Sequence, residues 1–132
     1  MYKNIEEYLK SLSDKYGENI DIKYRNCDYS IDNRIPKVLH SLYSVISEAK
    51  FPFGEIFTIE KALSQSSKNP FTPNWFVFGK DNYFSFWICS FAEDEEGLNF
   101  TYWDHESGNE IDGAVWDNFI SFFDEIQEDY EE

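Results

Sequence analysis

Beyond residue 50 this chain has almost no basic side chains: Lys61, Lys68 and Lys80 stand against eighteen acidic residues. Residues 1–50 hold eight of each sign, so the whole net charge of −15 belongs to the later stretch. A field of that size repels nucleic acid and anionic membrane and speeds encounter with basic partners. Cysteine is equally scarce. Cys27 and Cys89 sit in no metal or redox spacing, which excludes a disulfide framework. The six glycines are scattered singly, so no glycine-rich loop exists to cradle a phosphate. No long hydrophobic run occurs either. The longest nearly apolar stretch, Phe84 to Ala92, falls far short of the roughly 20 residues a spanning helix needs. The opening Met1-Tyr2-Lys3-Asn4-Ile5-Glu6-Glu7 lacks the apolar centre of a signal peptide, and a cytoplasmic location is expected.

What is plentiful is aromatic surface. All thirteen Phe and all four Trp lie beyond residue 50, in the same segment that carries the charge. Disordered acidic chains lack aromatics, so a folded core is expected, and residues 1–132 are long enough to form one as a single domain.

Ile5, Tyr8, Leu9, Leu12 and Tyr16 recur at helical spacing, and Gly17 is placed to end that helix. Ile20, Ile22 and Tyr24 alternate briefly, as a short strand would. Pro36 opens a second helix, whose buried face reads Val38, Leu39, Leu42, Tyr43, Ile46 and Ala49 before Phe51-Pro52-Phe53-Gly54 breaks it. Glu55 to Ile59 reads as extended, and residues 60–67 as one or two helical turns. From Trp75 the period changes to two. Trp75 to Gly79, Tyr83 to Phe91 and Leu98 to Trp103 are strand-like, joined by connectors short enough for hairpins. The central run is apolar on both faces, which predicts cover on both sides or one face left for a partner. Trp116, Phe119, Ile120, Phe123 and Ile126 restore helical spacing, with Asp112 or Asp117 as its cap and the acids from Glu125 onward favouring fraying. The order helix, helix, meander, helix predicts an α+β fold with helices packed on an antiparallel sheet.

Candidate chemistry is thin. His105, in Asp104-His105-Glu106, has acids on both sides, and Cys89 would supply a thiol nucleophile beside it. Cys89, however, lies inside an aromatic strand, where a small thiol is ordinary core. Glu93, Asp94, Glu95 and Glu96 gather carboxylates as calcium requires, but without the alternating register of a calcium loop they read as a solvated hairpin turn. No cofactor or metal is expected. In a meander the 93–96 turn and the strand exit at Asp104, Glu106, Glu110 and Asp112 are neighbours, so these acids are expected to share one sheet edge. Charge alone leaves a partner-binding face and a solubilising coat equally open.

The order of the motifs resembles the SUKH superfamily, which joins bacterial immunity proteins to regulators of yeast cell-wall synthesis. The resemblance spans residues 35–126. It rests on Ile35-Pro36-x-x-Leu39-x-x-Leu42-Tyr43, on Phe53-Gly54-Glu55-Ile56, and on Trp75-x-x-Phe78-Gly79-x-Asp81 followed by aromatic alternation. Ser47-Glu48-Ala49-Lys50 stands where such proteins carry Asn-Gly. The resemblance implies a non-catalytic domain that binds a protein partner, in bacteria a cognate toxin and often a nuclease. It also implies structural roles for Pro36, Gly54, Trp75, Gly79 and Asp81, while Trp87 reads as a second core anchor. An intracellular regulatory module without a toxin, an enzyme centred on His105 and a nucleic-acid mimic are the competing expectations.

Overall fold

Charged residues at the correct ends, an apolar stripe and a terminal glycine make the first helix self-consistent. Helix α1 runs Ile5–Tyr16 with Glu6 and Glu7 in its first turn and Lys15 in its last, as the helix dipole favours. Gly17 follows at a φ of 57°, turning the chain into a short 3-10 segment and then strand β1, Asp21–Tyr24. The computed structural model describes residues 5–24, 34–68, 71, 75–82, 85–90, 99–104 and 115–131, with side chains as far as 128. Pro36 precedes a 3-10 turn, Lys37–Leu39, that leads into α2, His40–Val45. Next come β2 (Ile46–Phe51), β3 (Gly54–Ile56), α3 (Ile59–Ser66), β4 (Trp75–Asp81), β5 (Ser85–Ser90), β6 (Phe100–Asp104) and α4 (Phe119–Glu131). Thr58 caps α3, its hydroxyl accepting from the Lys61 N–H at 3.2 Å.

The six strands form one antiparallel sheet in sequence order, with the four helices packed against it. Among the described residues no helix is long and apolar enough to cross a membrane.

Two bulges set the register. The second helix predicted through Ala49 instead ends at Val45, and Ile46–Phe51 is strand β2. Ile46 and Ala49 are three residues apart, which imitates a helical face. The pairing explains the spacing: Tyr24 opposes Ile46 and Lys23 opposes Glu48, so Ser47 is an extra residue in β2. That insertion lets both Ile46 and Ala49 face the core from a strand. Pairing with β1 and β3 overrides the local helical pattern. In β4 the extra residue is Phe78, because Val77 opposes Ile88 while Gly79 opposes Trp87. The bulge therefore sets a glycine, not a phenylalanine, across from the indole.

Opposed residues across the strands give each face its character, since side chains at one cross-strand level share a face. Ile22, Ala49, Ile56, Gly79, Trp87 and Tyr102 make one row. On this face Trp87 meets Phe53 and Phe78 as well as Phe122 and Phe123 of α4. Asp21, Lys50, Glu55, Lys80, Phe86 and Trp103 make the neighbouring row, on the opposite face. Helix α3 lies on that second face, where Lys61 pairs with Glu55 at 3.5 Å. Phe71, just beyond it, packs on Phe86 and Trp103. Strand β5 is thus covered on both sides: Trp87, Ile88 and Cys89 are fully buried.

Helices α1 and α4 are tied by polar groups at their contact. The Tyr8 hydroxyl donates to Asp124 Oδ1 at 3.1 Å and accepts from Gln127 Nε2 at 2.6 Å. Lys15 Nζ donates to Gln127 Oε1 at 3.4 Å. The last helix starts later than its aromatic spacing suggests. Trp116 is a bridge partner of Phe100, and Asn118 takes the capping role expected of Asp112 or Asp117, accepting from the Ser121 N–H at 2.9 Å.

Candidate functional site: an acidic helix beside the last strand

The charge that the sequence concentrates beyond residue 50 acquires a location in α4. Within α4 the exposed positions 121, 124 and 128 lie along one helical stripe, of which Asp124 and Glu128 are acids, and exposed Asp117 stands just ahead of the helix. Glu125 flanks the stripe, and from Val115 to Glu131 there is no basic residue. Lys15 of α1, held at Gln127, is the countercharge near its far end. Across strands β1 to β4 the picture reverses. Asp21, Lys50, Glu55 and Lys80 oppose one another in alternating sign across β1 to β4, and Lys23 pairs with Glu48 at 3.5 Å. Opposed pairs of this kind contribute about 0.2–1 kcal/mol each, and the two signs balance along that row. Among the described residues a balanced charge row on the sheet thus contrasts with an acidic helix.

Of the residues expected to bind a partner, Asp104 ends β6, half-buried, on the outermost strand of the sheet. Glu93, Asp94, Glu95, Glu96, Glu106, Glu110 and Asp112, with His105, lie outside the described residues. Spacing alone pointed to the α4 stripe, since its acids fall at helical intervals; they read as a cap and a source of fraying instead. The sheet-face charge row had no sequence signal, because its members are brought together by strand register.

The residues expected to be structural mostly sit where a structural role requires. Pro36 is buried at the entry to its turn. His40 Nε2 donates to the Ile35 carbonyl at 2.9 Å, which holds the loop before α2. Asp81 Oδ1 accepts from the Ser85 N–H at 3.1 Å across the β4–β5 connection, and Asn82 Nδ2 donates to the Pro52 carbonyl. Gly54 and Gly79 both lie against Trp87. Trp75 is half-buried at the start of β4 and packs against the core, whereas Trp87 is fully buried within it.

Two further concavities are open grooves. One of 630 Å³ runs between α1, β1 and α2, lined by Glu6, Lys10, Asp14 and Tyr24, where Lys10 is paired with Glu6 at 3.4 Å. The other, 210 Å³, lies on the charge row beside Lys50, Glu55 and Lys61. Among the described residues no three His, Cys, Asp or Glu side chains gather to hold a metal ion.

Cys89 is fully buried, and burial pushes its thiol well above the ordinary range, the reverse of what a nucleophile needs. In a Cys27→Ser variant, Cys89 is expected to resist a thiol reagent until the protein unfolds. The thiol keeps its proton in the folded state while the unfolded chain loses it above about pH 8.5. Its contribution is therefore fully present below that pH, and stability falls as pH rises beyond it; Cys89→Ala should remove that component from a denaturation series. Rapid labelling of the native protein would restore the thiol as a candidate nucleophile.

Compared with protein-family models, curated proteins and solved structures, the chain matches none.

Proposed function

We propose that this protein is a cytoplasmic immunity domain that neutralises a basic, nuclease-type protein toxin by stoichiometric binding through its acidic side, without catalysis. One observation carries the reading: the exposed acids Asp117, Asp124 and Glu128 lie at and along α4 with no basic residue in the segment, while strands β1 to β4 oppose their charges in alternating sign. A solubilising coat needs no such segregation. Charge interspersed around the surface serves solubility equally well, whereas a one-sided field steers a partner of opposite sign and brings association toward about 10⁸ M⁻¹s⁻¹ at low salt. The motif order from Pro36 to the final aromatic helix supports the immunity assignment by resemblance. The acids at 93–96, 106, 110 and 112 lie outside the described residues and are assigned to the partner-binding surface from the sequence alone.

The test is co-expression with the product of the neighbouring gene, which the proposal requires to be a basic, growth-inhibiting protein. Restored growth and an equimolar complex on a sizing column are expected. Neither rescue nor complex would overturn the proposal. A stable complex with no effect on growth would assign the regulatory interaction module instead.

A further inference from the structure

Between the start of α1, the turn after Pro36 and the start of α4 lies a cleft of 340 Å³, lined by Ile5, Val38, Phe100, Phe119 and Ile120 together with Asp117. Phe100 and Phe119 are buried core residues. Ile5, Val38 and Ile120 are only partly buried, although all pack against that core. Their remaining apolar surface costs free energy in water, at roughly 25 cal/mol per Å², and a guest side chain entering the cleft would remove it. The volume is at the small end for a ligand pocket and suits an anchoring residue from another protein.

One acid, Asp117, lines this cleft, beside Ser41 and Asn118. Asp117 stands just ahead of α4, and Glu6 and Glu7 follow Ile5 on exposed positions of α1, Glu6 lining the separate groove between α1, β1 and α2. Lys37, next to Val38, and Lys10, paired with Glu6, are the nearby cations. An apolar floor with a carboxylate at its rim is complementary to an apolar side chain presented beside a basic one. We infer that this cleft is the anchor pocket for a basic segment of the partner protein, receiving one Leu- or Phe-sized side chain while flanking Lys or Arg residues meet Asp117 and the α4 stripe. The inference rests on the basic-partner reading above and adds the docking point.

A capped peptide with a central Leu-Phe pair between lysines is the probe, read by isoleucine methyl NMR on the full chain. The Ile5 and Ile120 methyls should shift on titration while those of Ile22 and Ile59, remote from the cleft, stay fixed. A lysine peptide with Ser-Ser at its centre should bind about tenfold more weakly, and one with Glu in place of Lys should not bind. Ile120→Asp is the decisive variant, because an acid in the first turn of α4 suits the helix dipole yet spoils an apolar pocket. Simple charge attraction predicts tighter binding to this variant; an anchor pocket predicts binding weakened about tenfold or more. Val38→Asp repeats the test from the opposite wall, with unchanged methyl shifts of buried Ile88 reporting an intact core. Equal binding of the Ser-Ser peptide, undiminished binding to both variants, or no shift at Ile5 and Ile120 would each overturn the anchor pocket. Those outcomes leave the toxin-binding reading to its own co-expression test.

Discussion

Gly79→Ala should cost this protein about 3 kcal/mol of stability, close to the upper range for overpacking a core. A Cβ at position 79 would press on the carbonyl oxygen of Glu55 in β3 and on the Trp87 ring in β5. Neither neighbour is free to withdraw. Glu55 is fixed between Lys50 and Lys80 by pairing on both sides, and Trp87 is enclosed by Phe53, Phe78, Phe122 and Phe123. The indole Nε1 finds no hydrogen-bond partner among the described residues, so packing alone holds the ring. The measurement is a urea midpoint at unchanged m-value, with a melting temperature lowered by about 10 °C. Gly54→Ala should behave alike, since its Cβ would lie 2.7 Å from Trp87 Cζ2. Gly17→Ala is the control: the φ of 57° is strained for alanine, but nothing stands within 4 Å, so only about 1–2 kcal/mol is expected. Trp87→Leu is itself destabilising, but in that background Gly79→Ala should cost less than in the unaltered protein, because the side-chain clash goes and the clash with Glu55 remains. A Gly79→Ala midpoint equal to that of the unaltered protein would mean that glycine does not lie beneath the indole.

That glycine pair shows how far sequence reading reaches in this chain. Elements made by uninterrupted periodicity were legible: α1 occupies Ile5–Tyr16 as its stripe of Tyr8, Leu9 and Leu12 indicates, and β4 to β6 form the expected meander. Bulges were not. One inserted residue, Ser47, turned a strand into an apparent helical face, and another, Phe78, decided which residue opposes Trp87. A single-residue insertion shifts the phase of a period-two pattern while leaving composition untouched. The helical aromatic series had the opposite fault, since it recruits Trp116, which the structure uses as a bridge to Phe100. For the functional surface, the charge imbalance was legible because it needs only counting. The alternating row of Asp21, Lys50, Glu55 and Lys80 was not, because four segments distant in sequence supply it through their registers.

Neutralising the α4 stripe is the substitution with the largest functional effect expected. Asp117→Asn, Asp124→Asn and Glu128→Gln together should slow association with the basic partner about tenfold at low salt, with the difference closing near about 0.5 M salt. Amide replacements isolate the charge. An amide oxygen at 124 still accepts from the Tyr8 hydroxyl, and one at 117 from Asn118 Nδ2, the contacts the carboxylates make now. Stability should therefore change little. Charges at the edge of an interface act mainly on the rate of encounter, so the dissociation rate should move less than the association rate. Glu93→Gln, Asp94→Asn, Glu95→Gln and Glu96→Gln, made together, form the parallel arm. If both surfaces face the partner, each set slows association and their combination slows it further. If only the first set does, the helix is the steering element and the 93–96 acids serve solubility. Unchanged association by both sets at low ionic strength would sink electrostatic capture altogether. Loss of affinity confined to Ile120→Asp would then leave the apolar cleft as the sole contact, and the one-sided charge would have no part in recognition.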